Sequence, residues 1–333
     1  MSEIKSEVLK ILTTADGPVS GEKLSGSLHV SRTAIWDAIR KLRSEGYAIE
    51  GTRGYGYILS GCDIVSAEGI SRFWKGEKLP SITVLPSCVS TNDILKKAAS
   101  EGLETGSSVL SREQQGGRGR YGRLFVSPRD KGLYLSVLLR PEKSWSEVPL
   151  LTVYVSVCVA NVLEKLAGLP ENSISVKWVN DLYLSGKKIC GILTEGVLDL
   201  ESNRLDHAVV GIGINLYPCT FPKELASIAT DLETQTGRHV DINELAAEII
   251  RAVMEYTPES AHRSLENYRK RSFLIGQKVV IHPAGDRSHA GQKALEALVT
   301  GIGDAGELQV RTDDGRNVEL RSGEVTLHKG GVS

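Results

Sequence analysis

Residues 116–123, Gly-Gly-Arg-Gly-Arg-Tyr-Gly-Arg, interleave four glycines with three arginines and contain no acid. Glycine lets a backbone approach a ligand with its N–H groups exposed, and arginine offers forked donors to anionic oxygens. Such a stretch suits a polyphosphate or a carboxylate, though the same composition would serve a flexible basic surface loop. It is neither GxxxxGKS/T nor a GxGxxG that opens a helix after a strand. Lys188 is a second candidate. It begins a strand directly after a Ser185-Gly186 turn, where an ammonium either stands over a pocket or snorkels to solvent. Asn180-Asp181, just before that turn, fits ordinary turn chemistry equally well. Ser90-x-x-Asp93 has the pattern of a helix N-cap, yet a helix start also presents amides and a hydroxyl to a neutral polar ligand.

The elements that must carry these residues fall into three parts, an α+β multidomain chain. In residues 1–62, Val8, Leu9, Ile11 and Leu12 predict a first helix, stopped at Asp16-Gly17-Pro18. Ser20 caps a second, GEKLSGSL, and Ser31 a third, in which Ile35, Ile39 and Leu42 recur at helical spacing before Gly46. YAIEGTRGYGYIL then reads as a hairpin. Helix, helix, turn, helix and hairpin is the order of a winged helix-turn-helix. Its DNA-facing candidates are Ser31, Arg32, Thr33, Trp36 and Arg40 on the third helix, with Lys41 and Arg43, and Arg53 at the wing tip. A small helical packing domain with a solvated charged face would show much of the same pattern.

Residues 63–270 alternate strands and helices. ITVLP (82–86), GLYLSVLLRP (132–141), SVKWVNDLYL with KKICGILTEG, and AVVGIGINL (208–216) are strands; 92–102, the apolar stretch 148–168 and DINELAAEIIRAVMEY are helices. Asp241 with Glu244 suggests a capping box, and Tyr256-Thr257-Pro258 ends the helix that follows. This is a mixed α/β domain. From 271 to 333, short strands between Gly- and Asp-rich turns predict a small SH3-like β-barrel.

Composition sets outer limits. Across 333 residues, 40 Lys+Arg against 41 Asp+Glu leave a net charge of −1, which excludes a protein made for blanket phosphate neutralisation. The five cysteines are scattered singly and the seven histidines show no HxxxH spacing, so neither a disulfide frame nor a protein-held metal is expected. No signal-peptide core opens the chain and no uninterrupted apolar run spans a bilayer, so a cytoplasmic protein without a membrane segment is expected.

Five segments, in order, resemble the bifunctional biotin–protein ligase and biotin-operon repressor family: PSCVSTNDIL, QQGGRGRYGR, VKWVNDLYLSGKKICGIL, VGIGINL and GELQVRTDDGRNVELRSGEVTLH. The resemblance runs almost the full length and implies a class II synthetase-like catalytic domain. It implies a ligase that joins biotin to ATP as biotinyl-5′-AMP, then passes biotin to a lysine of a biotin carboxyl carrier protein. On this resemblance Ser90, Thr91, Asn92 and Gln114 take the biotin ring, with Arg118, Gly119, Arg120 and Lys188 also on biotin. Lys188, Arg118 and Arg120 are the catalytic cations. Arg118, Arg120, Arg123, Phe125, Asn180, Asp181 and Asn215 take the nucleotide, whose Mg2+ comes with its phosphates. Operator DNA and a homodimer are the further partners implied.

The chain departs from the family pattern at three places. Tyr121 replaces a third arginine, a change expected to alter how tightly the adenylate is kept. Phe125 replaces a tryptophan expected to cover the adenine, and Val179 replaces a proline, which should loosen the backbone before Asn180. Rival readings are a lipoate-type ligase, a biotin-sensing regulator without ligase activity, and a ligase whose N-terminal domain regulates nothing.

Overall fold

The structure, a computed structural model, describes residues 3–15, 17–44, 46–52, 55–62, 64–140, 148–199, 204–282 and 295–327. At the N-terminus, α1 (Glu3–Thr14), α2 (Gly21–Leu28) and α3 (Arg32–Ser44) precede the hairpin of β1 (Tyr47–Thr52) and β2 (Gly56–Cys62). The Ser20 hydroxyl accepts from the Lys23 amide at 3.0 Å and the Ser31 hydroxyl from Ala34 at 3.2 Å, so both capping serines act as their positions suggest. Gly46 follows α3 with φ +97°, a conformation that suits glycine. Val8, Leu9, Leu12, Leu24, Ile35, Ile39 and Leu42 form a core of their own with Tyr47, Ile49, Leu59 and Ile64.

Val65, one residue later, already belongs to the main core. The crossing is held by Asn243, whose side chain accepts from the Ser66 amide at 2.9 Å and donates to the Ile64 carbonyl at 3.1 Å. Asn243 is 1% exposed, so these bonds are made away from competing water.

The central unit contains α4 (Ala67–Phe73), β3 (Ile82–Leu85), α5 (Thr91–Ala99), β4 (Ser108–Ser111), β5 (Gly132–Leu139), α6 (Val148–Ala167), β6 (Ser175–Lys177), β7 (Asp181–Leu184), β8 (Lys187–Asp199), β9 (Arg204–Asn215), α7 (Leu232–Thr236), α8 (Ile242–Met254) and α9 (Pro258–Arg271). Its seven-stranded sheet runs β3-β4-β5-β9-β8-β7-β6, with only the β3/β4 pair parallel. Alternation along β5 and β9 sorts residues to two faces. Leu133, Leu135, Val137 and Leu139, with Val210, Ile212 and Ile214, join the large core that includes α6 and α8, whereas Leu138 and Val209 pack with Leu95 and Ala99 of α5.

Residues 149–167 of α6 are long and apolar enough to cross a membrane (mean hydropathy 1.6), but 78% of that stretch is buried inside the protein. α9 was not foreseen. Thr257-Pro258 follows α8 and also starts α9: the Thr257 hydroxyl accepts from the Ser260 amide, the Ser260 hydroxyl from the Thr257 amide, and Pro258 occupies the first turn.

The C-terminal unit is a five-stranded antiparallel sheet of β10 (Lys278–His282), β11 (Leu295–Ile302), β12 (Leu308–Thr312), β13 (Asn317–Leu320) and β14 (Glu324–Leu327), in the order β13-β12-β11-β10-β14. Its buried Val279, Val299, Leu308, Val310 and Val325 are continuous with the central core. Trp178 Nε1 donates to the Gly306 carbonyl at 2.9 Å, and Arg269 Nε to that of Ile302 at 2.9 Å.

Where α9 ends, Arg271 lies 1% exposed beside Glu164 of α6 and donates to both its carboxylate oxygens, at 2.6 and 2.8 Å. It also reaches the Ile174 carbonyl, Asn161 and Asn267. Removing one partner leaves the other charge buried without compensation. Arg271→Ala should therefore cost about 3–5 kcal/mol, read as a lower urea midpoint; an unchanged midpoint would contradict this role.

Candidate functional site

On the α5 face of the central sheet lies a cleft of about 490 Å³. Ser90, Thr91, Asn92, Gln114, Arg118, Gly119, Arg120, Arg123, Phe125, Asn180, Asp181, Lys188 and Asn215, drawn from five separate segments of sequence, all line it.

Its floor is set by glycines. A Cβ on Gly211 would fall 2.3 Å from Asn92 Oδ1, and one on Gly213 2.6 Å from Phe125 Cε1. Both lie on β9, two residues apart and therefore on one face. Gly191 of β8 pairs with Gly213, and a Cβ there would meet Lys188 Cε and Nζ at 3.4 Å and Phe125 Cε2 at 3.5 Å. The Phe125 ring thus lies across bare backbone, and Asn92 reaches into the sheet where Gly211 leaves room. Sequence reasoning passed over these glycines, although their alternation in VGIGIN was the available signal.

Beside these glycines runs a continuous set of polar contacts. Lys96 Nζ donates to Glu195 Oε1 at 2.9 Å, and Asn92 Nδ2 to Glu195 Oε2 at 2.7 Å. Ser136 Oγ lies 2.5 Å from Asn92 Oδ1 and 2.7 Å from Thr91 Oγ1. Gln114 Oε1 accepts from the Thr91 amide at 3.0 Å, and Gln114 Nε2 donates to Ser127 Oγ at 3.1 Å. Gln114 therefore satisfies an amide at the start of α5. Ser90, the N-cap by conformation and 4% exposed, makes no capping bond, so its hydroxyl is not spent on the helix. Burial opposes the Lys96 ammonium, but its bonds to Glu195 and Asp93 outweigh that and raise its pKa above the ordinary lysine value. Lys96, Glu195 and Ser136 are members of this network that the sequence did not single out.

The cations line the same cleft. Lys188 Nζ is 2.7 Å from Asp181 Oδ1, with the two side chains 28% and 23% exposed, so it is held at the cleft rather than released to bulk water. Its backbone exchanges hydrogen bonds with the passing 228–230 segment, Lys188 N to Ile228 O at 2.8 Å and Thr230 N to Lys188 O at 3.0 Å. The Asn215 amide donates to the Thr230 carbonyl at 3.0 Å and fixes the same segment. Asn180 Nδ2 donates to Ile192 O at 2.6 Å, across to β8, so neither residue of the Asn180-Asp181 pair is used as simple turn chemistry. Val179 is buried, in a cis peptide after Trp178, and its carbonyl accepts from Tyr268 Oη at 2.9 Å.

The arginine-glycine stretch is folded on itself. Gly119 N donates to Arg123 O at 2.7 Å and Phe125 N to Gly117 O at 2.9 Å, while Tyr121 (φ +57°) and Gly122 (φ +69°) turn the tip. Arg118 Nη2 is 3.1 Å from Asp93 Oδ2. The Arg120 guanidinium stands 5.9 Å from the Trp178 ring and donates to the Gly323 carbonyl at 3.3 Å. Cations held around a cavity by partners that a ligand can replace can stabilise charge that grows on a bound anion.

A second candidate surface is on α3. Ser31, Arg32, Thr33, Trp36 and Arg40 are all exposed, and Arg40 stacks over the Trp36 ring at 4.9 Å. Arg32 pairs with Glu22 and Arg40 with Asp37, both at 3.0 Å and well exposed, so screening makes either pair easy to exchange for a phosphate. Arg43 differs from the sequence expectation: its Nε donates to the Ile49 carbonyl at 2.8 Å and braces the hairpin. Arg53 lies outside the described residues.

Residues 84–215 match the biotin/lipoate A/B protein ligase family and residues 5–58 an HTH domain. The chain is 34% identical over 248 residues to the bifunctional ligase/repressor BirA of Bacillus subtilis, covering 72% of this chain and 74% of that one. To the protein of the same name from Escherichia coli it is 31% identical over 316 residues, 92% of this chain and 94% of that one. The biotin protein ligase from Aquifex aeolicus, solved in complex with biotin and ATP, superposes with a TM-score of 0.61 at 27% identity, over 74% of this chain and 98% of that one.

The glycine floor can be probed directly. Gly211→Ala forces a methyl into Asn92 and should destabilise the protein by about 1–3 kcal/mol, whereas Gly191→Ala meets only ordinary contacts and should be close to neutral. Equal thermal midpoints for the two variants would refute this account of the floor.

Proposed function

This chain belongs to the biotin/lipoate A/B protein ligase family, and we propose that it is a biotin–protein ligase that also represses transcription through its N-terminal domain. The ligase activates the carboxylate of biotin by attack on the α-phosphorus of ATP, releasing pyrophosphate and forming biotinyl-5′-AMP. A lysine amine of a biotin carboxyl carrier protein then attacks the acyl carbon and AMP leaves. The first step brings two anions together, so it needs fixed positive charge where charge builds on phosphorus. The observation that carries the reading is a single cleft lined both by neutral hydrogen-bonding groups, Ser90, Thr91, Asn92 and Gln114, and by cations that include Arg118, Arg120 and Lys188.

In this reading Ser90, Thr91, Asn92 and Gln114 meet the ureido ring, which offers donors and acceptors but no charge. Arg118, Gly119 and Arg120 wrap the adenylate, with Arg123 at the base of the same loop. Lys188 leaves Asp181 for the biotin carboxylate and the α-phosphate. Phe125 offers an aromatic face to the adenine, with less area than a tryptophan would give. Asn180 and Asn215 hold β8 and the 228–230 segment at the nucleotide end. Magnesium comes with the nucleotide phosphates: among the described residues no three His, Cys, Asp or Glu side chains gather as a metal set, and Asp181 is the only carboxylate lining the cleft.

We take residues 1–62 as the DNA-reading domain, 63–270 as the catalytic domain and 271–333 as the C-terminal domain. Ser31, Arg32, Thr33, Trp36 and Arg40 are the DNA contacts, joined by Arg53 of the wing. A cytoplasmic homodimer would present two such faces to spaced half-sites.

ATP–pyrophosphate exchange, measured with biotin and in parallel with lipoate, tests the ligase half. Exchange with biotin alone is expected; exchange with lipoate alone, or with neither, would overturn it. Lys188→Ala should lower biotin-dependent exchange by at least about 100-fold, the scale of losing one strong electrostatic stabiliser, with an unchanged thermal midpoint. Arg118→Gly, which removes the tie to Asp93, should still make the adenylate but release it. Biotinylation of bystander proteins no greater than with the parent would count against that assignment.

A further inference from the structure

The tip of the arginine-glycine loop does something that its composition does not announce. Tyr121 Oη accepts the backbone N–H of Gly323 at 2.8 Å and a guanidinium N–H of Arg120 at 3.0 Å. Arg120 Nη2 also donates to the Gly323 carbonyl at 3.3 Å, and its guanidinium lies 5.0 Å from the centre of the Tyr121 ring. Three groups therefore close a ring across 202 residues of sequence, between the loop and the residue that leads into β14. Both backbones are shaped for the contact, with φ +57° at Tyr121 and +128° at Gly323. Gly323, Val325 and Thr326 line the cleft from the C-terminal side, so the ring closes a wall of the same cavity.

We propose that Tyr121 is a positioning residue that ties the loop to the C-terminal domain, and that this tie sets how long the activated biotin is retained. The proposal rests on the ligase reading given above. An arginine could not do the same work, because the Gly323 N–H needs an acceptor and a guanidinium has none. The phenol supplies that acceptor while still taking a bond from Arg120. A loop held closed for part of the time binds its ligand in proportion to that part, so loss of the tie weakens retention without removing any group that touches the reacting atoms.

Tyr121→Phe tests this in the full-length protein. It keeps the ring beneath Arg120 and deletes only the hydroxyl. Hydrogen exchange at the Gly323 amide should accelerate. Release of biotinyl-adenylate, followed in a chase with excess biotin, should rise about threefold to tenfold, the span expected for one net hydrogen bond. The KM for ATP should rise by more than kcat falls, a split that a general loss of fold would not give. Unchanged exchange at Gly323, or a release rate equal to the parent's, overturns the proposal. Should the parent make no adenylate, the ligase reading falls and the retention role with it, while exchange at Gly323 still decides whether the tie exists.

Discussion

The cleft depends on a layer of polar side chains that cannot be left without partners. Lys96, Glu195, Asn92, Ser136, Thr91, Gln114 and Ser127 come from α5, β5, β8 and the segments on either side of the loop, and each satisfies its neighbour. A buried donor or acceptor stripped of its partner costs about 1–3 kcal/mol, so these elements are fixed relative to one another within hydrogen-bond tolerances. Gly211 admits Asn92 into the sheet surface and so makes that layer possible. Ser90, at the start of α5, is mounted directly on this layer.

The charges at the cleft are arranged by a different rule. Lys188, Arg118 and Arg120 each rest on a replaceable partner: Asp181, Asp93, and a carbonyl with aromatic faces. The cations are thus at the cleft before a ligand arrives, and they exchange these partners for the anionic groups that it brings. The carboxylate partners also keep a cluster of positive groups from destabilising the empty cleft by mutual repulsion.

Much of this was legible in the sequence, because the signals were local. Ser20 and Ser31 marked helix starts, apolar alternation marked β5, an apolar run marked β9, and the glycines and arginines at 116–123 marked an anion loop. What escaped depended on partners far along the chain. Thr257-Pro258 looked like a stop because proline ends a helix as readily as it opens one. Gln114 capping α5, Arg43 turning to Ile49 and Tyr121 meeting Gly323 follow from packing, which no window of neighbouring residues contains. The Val179 carbonyl likewise accepts from Tyr268, 89 residues away.

The joint between the central and C-terminal sheets bears on how the protein is made. Chains emerge from the ribosome N-terminus first, and units fold as they become available. The N-terminal helices have a core that is complete at Ile64 and can close early. The central core is finished only by Val279, Val299, Val310 and Val325, and the wall facing the loop only by Gly323 and Thr326. A nascent chain therefore acquires its DNA-facing helix long before it has a closed place to keep a reactive intermediate. A product cut short before β14 would carry the first without the second.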